Sequence, residues 1–196
     1  MAESGGFTRR HFLTVATVVT GGAGAIATAI PFVSSFKPSA RAQALGAPVT
    51  VDISKLELGA LLKVEWRGRA IYVLHRTPEM LATLGKDAAL LRDPTSKEDQ
   101  QPGYAQNEHR SIRAEVLVVE GVCTHFGCAP APRFEVAPAD LGPDWPGGFF
   151  CPCHGSKFDL AGRVFTGVPA PLNLPVPAHR YINDNTILIG SDTGNS

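Results

Sequence analysis

The chain lacks any excess of charge, since its 196 residues include 18 lysines and arginines against 18 aspartates and glutamates, and no basic patch stands out. Binding to nucleic acid needs a concentration of positive charge that displaces counterions, so the composition argues against a nucleic-acid partner. Apolar residues make up 44% of the chain, which is enough for the core of one compact domain and excludes a wholly disordered protein.

Charged residues are absent from one long segment: residues 12–36 contain no aspartate, glutamate, lysine or arginine. As a helix rising about 1.5 Å per residue, this segment spans roughly 37 Å, enough to cross a hydrocarbon core of about 30 Å. Residues 1–42 carry four bases and one acid, whereas the rest carries 14 bases and 17 acids. We therefore predict two unlike parts, the first of them a transmembrane anchor at residues 12–36.

The sequence before this anchor reads TRRHFL (residues 8–13) and resembles the twin-arginine signal, which exports cofactor proteins that fold before they cross a membrane. The resemblance implies that residues 1–11 stay in the cytoplasm and that the head is periplasmic, on a single-pass protein of the bacterial inner membrane. A cleaved signal peptide remains open, because Ala40-Arg41-Ala42 offers a small-x-small site. The length of the apolar segment favours the uncleaved anchor.

Residues 37–48 lack apolar periodicity and indicate a linker, either an inert spacer or a flexible hinge. From residue 49 onward the pattern is mainly one of short β-type runs, which predict strands at residues 49–53, 61–66, 70–74, 115–119, 180–183 and 186–189. The sequence Thr77-Pro78-Glu79 combines an N-cap, a proline at the first helical position and an acid in the first turn, so it predicts one helix. Residues 93–110 indicate a polar loop. The prediction for residues 49–196 is a mainly β domain with a helical insertion.

No cysteine lies outside residues 123–153, and the four present fall into two motifs that each contain a histidine: CTHFGC (residues 123–128) and CPCHGS (residues 151–156). Structural zinc is one interpretation, although zinc motifs usually repeat one ligand type within each half and these motifs mix thiol and imidazole. Two structural disulfides are a second interpretation for an exported protein, but they leave both histidines without a role.

Both motifs resemble those of Rieske iron–sulfur proteins, in which two histidines replace two cysteines on one iron of a [2Fe-2S] cluster. The resemblance implies one such cluster in an antiparallel β-sandwich head, with cluster-binding loops between residues 121 and 177. Neutral imidazoles make the cluster less negative, which favours the added electron. The implied residues are Cys123 and Cys151 on one iron, His125 and His154 on the other, a disulfide between Cys128 and Cys153, and Ser156 as a hydrogen-bond donor to a cluster sulfur.

Further segments indicate the branch of the family. Rieske ferredoxins and ring-hydroxylating dioxygenases lack the extra cysteine pair, so Cys128 and Cys153 favour the high-potential branch. The sequence GVPAPLNL (residues 167–174) is similar, with one inserted residue, to the proline-rich loop of the Rieske subunit of cytochrome bc-type complexes, the ubiquinol–cytochrome c reductases. In that family the loop forms the third wall of the cluster pocket. The long spacer between the motifs resembles proteobacterial members. The small subunit of arsenite oxidase remains an alternative.

This resemblance implies an electron-transfer subunit that takes one electron and a proton from ubiquinol and contributes to proton translocation in a respiratory chain. His154 or His125 would accept the quinol hydrogen bond, and the head would swing on residues 37–48 towards a c-type haem. The implied partners are a cytochrome b subunit, a c-type cytochrome subunit, ubiquinol and membrane lipid, in a dimeric complex.

Two residues depart from the family pattern. Phe158 stands where many members have a tyrosine whose hydroxyl raises the potential, so we expect a lower potential here. Phe126 replaces the usual leucine at the tip of the cluster region and keeps that position apolar.

Overall fold

The structure is a computed structural model that describes residues 8–86 and 88–191. The chain forms two compact units, and the second unit begins at Leu45. The first unit contains α1 (Arg9–Ser35), whose first turn is capped by the Thr8 hydroxyl accepting from the His11 N–H. None of its residues is buried within the chain, and the helix is long and apolar enough to cross a membrane. The predicted signal region continues into residues 1–7, which lie outside the described residues.

The predicted linker contains regular structure. A seven-residue helix, α2 (Ala40–Gly46), covers most of residues 37–48, and the Ser39 hydroxyl accepts a hydrogen bond from the Ala42 N–H at its start. Three alanines and Gln43 favour a helix by intrinsic propensity, but they create no apolar face, so hydrophobic periodicity could not reveal it. Whether this segment serves as a hinge stays a prediction.

In the described part of the second unit, nine strands form three antiparallel sheets, with the orders β1–β9–β8, β2–β3–β4 and β5–β6–β7. The strands are β1 (Val49–Asp52), β2 (Leu61–Trp66), β3 (Arg69–His75), β4 (Val116–Glu120), β5 (Ala131–Arg133), β6 (Gly148–Phe150), β7 (Lys157–Phe158), β8 (His179–Asn183) and β9 (Thr186–Ile189). A helix, α3 (Pro78–Thr83), follows β3 and is capped by the Thr77 hydroxyl, and 3₁₀ turns occupy Ala88–Leu90 and Gly103–Ala105. The prediction of a mainly β fold with a helical insertion is confirmed.

The six predicted strands all occur, but the sequence patterns missed the sheet that surrounds the second motif. Its strands β5, β6 and β7 are only two or three residues long and too short to show an alternating pattern. Proline and glycine inside them also argue against strands in a sequence-based interpretation. Long-range pairing, such as Phe149 with Phe158, stabilises these short segments.

Strands β3 and β4 of the central sheet β2–β3–β4 are buried on both faces. Along β3, Ile71 and Val73 pack in one apolar cluster with strands β1 and β9, while Tyr72 and Leu74 point into the cluster that contains the free cysteines. This two-sided burial explains why β3 and β4 have continuous apolar runs instead of alternation. The site is thus built on the opposite face of this sheet from β1 and β9.

Three arginines, Arg76, Arg110 and Arg163, are almost fully buried. Arg76 and Arg110 donate to main-chain carbonyls of residues 160–162 at 3.1–3.3 Å, and burial lowers the pKa of both guanidinium groups to about 10. Arg163 donates to the Asp159 carboxylate at 2.7 Å. These bonds fix the segment directly after the second motif, and they explain why the predicted polar loop at residues 93–110 is partly buried.

Candidate functional site

The first cysteine–histidine motif forms a tight loop after β4. The Cys123 N–H donates to the Cys128 carbonyl at 2.7 Å, and the Gly127 N–H donates back to the Cys123 carbonyl at 2.9 Å. Gly127 has a φ of +82°, in the left-handed region that side chains disfavour. The glycine therefore allows the chain to turn back and leaves the thiol and the imidazole at one end of the loop.

The second motif repeats this arrangement between β6 and β7. The Cys151 N–H donates to the Ser156 carbonyl at 2.8 Å, the Gly155 N–H donates to the Cys151 carbonyl at 2.9 Å, and Gly155 has a φ of +76°. In both loops the N–H of the first cysteine donates to the carbonyl of the residue five positions later. The glycine lies four positions after that cysteine in both loops. The two motifs are therefore equivalent loops in spite of their different order of ligands.

A disulfide joins the two loops through Cys128 and Cys153, which is the pairing that the family resemblance implied. Cys123 and Cys151 remain free and are buried. The Cys151 sulfur lies within 4.8 Å of both sulfurs of the disulfide, and the Cys123 thiol is in hydrogen-bond contact with that of Cys151. The loops thus hold two buried thiols side by side.

The Cys123 thiol sits in an environment that disfavours an unpaired thiolate. Burial raises the pKa of this thiol above its ordinary value, while hydrogen bonds from the His125 main-chain N–H and the Ser156 hydroxyl act in the opposite direction. A metal ion supplies the positive charge that a buried thiolate otherwise lacks. The thiol is therefore suited to metal ligation.

The two histidines lie on the same two loops as these thiols, and their rings are neighbours. The rings of His125 and His154 have centroids 4.8 Å apart and an interplanar angle of 86°. His125 Nδ1 is buried and has no hydrogen-bond partner, whereas His154 is exposed. A buried ring nitrogen with no partner is unfavourable unless it has a ligand. Two thiols and two imidazoles fit the donor set of a Rieske [2Fe-2S] cluster.

The proline-rich segment forms a third loop that contacts both of the others. The Thr124 hydroxyl donates to the Leu172 carbonyl at 2.6 Å, and the Ala170 N–H donates to the Ser156 hydroxyl oxygen at 3.0 Å. Neither Thr124 nor Ala170 is predicted as a functional residue from the sequence. The signal for Ala170 is its position between two prolines, which leaves it as the one N–H donor of that tripeptide.

The tip of the site is apolar and exposed. The Phe126 ring is 77% exposed and its centroid is 4.0 Å from that of His125, and Leu172 from the third loop is 40% exposed. Pro152, Pro169 and Pro171 are exposed as well. This tip is thus an apolar exposed surface, and its Phe126 ring has its centroid 6.0 Å from that of the exposed imidazole of His154.

Comparisons with known proteins find two family profiles on this chain. One, described as "Rieske [2Fe-2S] domain", matches residues 67–178, and the other, "Ubiquitinol-cytochrome C reductase Fe-S subunit TAT signal", matches residues 1–39. Curated relatives named ubiquinol-cytochrome c reductase iron-sulfur subunit include one from Allochromatium vinosum, 59% identical over 96% of this chain and 91% of the relative. A second, from Blastochloris viridis, is 43% identical over 94% of this chain and 93% of the relative.

Proposed function

The chain belongs to the Rieske iron–sulfur subunits of ubiquinol–cytochrome c reductase, and we propose that its two cysteine–histidine loops hold the cluster of that electron-transfer subunit. The observation that carries this proposal is the set of two buried free thiols and two neighbouring imidazoles on loops joined by a disulfide. The curated relatives named above are reductase subunits, so the arsenite oxidase alternative is not favoured.

Four side chains would ligate the cluster. Cys123 and Cys151 would hold one iron as thiolates, and His125 and His154 would hold the other through ring nitrogens. A bound [2Fe-2S] cluster supplies one-electron oxidation and reduction at a potential that the two imidazoles raise. The disulfide between residues 128 and 153 holds the loops together, and the surrounding apolar residues limit the access of water to the sulfur atoms.

The exposed imidazole of His154 is the best-placed group to receive the quinol. His125 is partly covered by the Phe126 ring, whereas His154 is exposed. A neutral imidazole has one ring nitrogen that accepts a hydrogen bond and one that donates, and ligation by iron uses one of them. We therefore assign to the other ring nitrogen of His154, or of His125, the acceptance of the ubiquinol hydroxyl hydrogen bond and of its proton.

Around these histidines, the apolar tip would dock on the partner that presents the quinol. Phe126 and Leu172 are large apolar side chains at an exposed tip, and such surfaces mark interaction sites. The reductase contains cytochromes, and we assign this contact to the cytochrome b subunit. The electron would then pass to a c-type cytochrome subunit, within a dimeric complex.

The protein is a membrane-anchored subunit with an exported head. We propose that residues 1–11 remain in the cytoplasm, that residues 12–36 cross the bacterial inner membrane among lipid, and that residues 49–196 form a periplasmic head. Residues 37–48 would be the hinge. The α2 helix lies in this segment and is exposed apart from one partly buried residue, Gly46, so few contacts oppose its rearrangement.

The first test is low-temperature EPR of the full chain purified in detergent, before and after reduction by ascorbate. We expect a rhombic [2Fe-2S] signal to appear with ascorbate and to be lost in His154→Gln. The matched control is His109→Gln, since this histidine lies outside the site and the contacts of its main-chain carbonyl survive the change. A protein that shows no signal even with dithionite would contradict the proposal.

A further inference from the structure

Ala170 has an unusual position in the third loop. It lies between Pro169 and Pro171, which have no main-chain N–H, so it is the sole N–H donor of this tripeptide. Ala170 is fully buried, and its N–H donates to the Ser156 hydroxyl oxygen over 3.0 Å. This donor is therefore directed at one side chain of the second loop and does not face solvent.

Ser156 is fully buried too, and its hydroxyl has one proton to donate. Because the oxygen accepts from the Ala170 N–H, the hydroxyl proton points away from that donor. The hydroxyl also interacts with the Cys123 thiol and favours its charged form. The group that accepts from the Ala170 amide thus acts on a thiol that we assign as an iron ligand.

The ends of the third loop are fixed independently of this bond. The Leu172 carbonyl accepts from the Thr124 hydroxyl, and the Leu174 N–H donates to the Gly162 carbonyl at 2.8 Å. Val168 packs against the main core and against the apolar cluster that contains Trp145. The position of the Ala170 amide is therefore determined by contacts other than the one with Ser156.

We propose that the Ala170 main-chain N–H is a positioning group that holds the Ser156 hydroxyl as a donor to the Cys123 sulfur and thereby raises the reduction potential. A donated hydrogen bond stabilises negative charge on sulfur, and this charge increases when an electron is added. Two hydrogen bonds in series also polarise one another in a buried site. The inference rests on the proposed function, because it takes Cys123 as an iron ligand.

A double-mutant cycle tests this role through the midpoint potential of the purified full chain, measured by EPR-monitored redox titration. Ala170→Pro removes the N–H and keeps the extended conformation to which Pro171 already restricts residue 170, while its ring takes the place of the N–H against Ser156. Ala170→Gly keeps the N–H and serves as the matched control. We expect Ala170→Pro to lower the equilibrium constant for reduction by up to about tenfold, or 59 mV for a one-electron couple, and Ala170→Gly to leave it close to that of the parent.

The second half of the cycle separates positioning from packing. In a Ser156→Ala background the Ala170→Pro change has no hydroxyl to release, so we expect no further shift of the potential. A shift of the same size in both backgrounds, or an equal shift from Ala170→Gly, would overturn the proposal. A parent protein without any [2Fe-2S] EPR signal would refute the proposed function instead, so the two failures are distinguishable.

Hydrogen exchange provides a measurement that does not need the proline variant to fold. The flanking prolines have no amide hydrogen, so fragmentation of peptides that span residues 168–172 isolates the Ala170 amide. We expect this amide to exchange slowly in the parent chain and faster in Ser156→Ala. An unchanged rate in Ser156→Ala would show that the amide does not depend on the hydroxyl, and the proposal would fail.

Discussion

Phe158 packs in the same buried cluster as Cys123 and Cys151 and brings no polar group to them. We predict that Phe158→Tyr raises the midpoint potential, because the added hydroxyl can donate to a sulfur that gains negative charge on reduction. One hydrogen bond contributes about 1 kcal/mol, which is about 40 mV for a one-electron couple. The measurement is a redox titration, with Phe165→Tyr in the separate Trp145 cluster as control. An unchanged or lower potential in Phe158→Tyr would refute the prediction.

His179 couples the stability of the head to pH. Burial lowers the pKa of this imidazole below 6.5, and a hydrogen bond to the Pro177 carbonyl acts in the opposite direction. The folded state therefore binds the proton less tightly than the unfolded state, so this contribution to stability is complete above pH 6.5 and is lost as the pH falls towards the folded pKa.

We predict that the wild-type chain loses more stability between pH 7.5 and pH 5.5 than His179→Phe, which keeps a ring against Tyr104. Urea unfolding at the two pH values measures the difference. The variant also loses the bond to Pro177, and comparing each protein with itself at the two pH values removes this constant difference. Equal pH dependence of the two proteins would show that His179 does not titrate on unfolding.

At the level of elements, the disulfide connects two loops that are 25 residues apart in sequence. Closing a loop of this length restricts the unfolded chain and stabilises the fold by about 3 kcal/mol in the chain-entropy account. We predict that Cys128→Ala/Cys153→Ala lowers the free energy of unfolding by about this amount and speeds the loss of the EPR signal on warming. Unfolding curves with and without a reductant provide the comparison. Reductant should lower the free energy of unfolding of the parent but not that of the variant. A decrease in both proteins would indicate another reducible group.

The same loops show why short elements need the tertiary structure. Strands β5, β6 and β7 have no sequence pattern of their own, yet the hairpin of β6 and β7 carries the second motif at its turn. The buried side chains Arg76 and Arg110 fix the segment that follows, through carbonyls that are distant in sequence. Such contacts cannot be inferred from local composition, because an arginine is usually exposed.

At the scale of the whole molecule, the proposed function requires the head to be exported while the anchor stays in the membrane. We predict that Arg9→Lys/Arg10→Lys leaves the head in the cytoplasm, because the paired arginines are the export signal that the profile match at residues 1–39 supports. Protease treatment of spheroplasts measures this: the wild-type head is cleaved and the variant's head is protected. Lys37→Arg/Lys63→Arg is a control with the same number of exchanged cations. Equal cleavage of both variants would contradict the assignment of the paired arginines as the export signal.

The sequence by itself determined the main features of this protein. The uncharged segment at residues 12–36 indicated the anchor, six strands followed from local apolar patterns, and two short motifs indicated the cluster and its family. These features are local, since each depends on residue types within a few positions of one another. The same reasoning failed at α2, where helix propensity without an apolar face leaves no periodic signal.

Only the tertiary structure decided how the three loops meet. It brought the rings of His125 and His154 to 4.8 Å from one another, placed Phe126 against His125 while leaving His154 exposed, and directed the Ala170 amide at the Ser156 hydroxyl. The family resemblance had already implied the pairing of Cys128 with Cys153. These relations join residues 14 to 29 positions apart in different loops, apart from the neighbours His125 and Phe126. The chain brings them together because the central sheet and its buried arginines fix the bases of the loops, and no pattern within one segment encodes that arrangement.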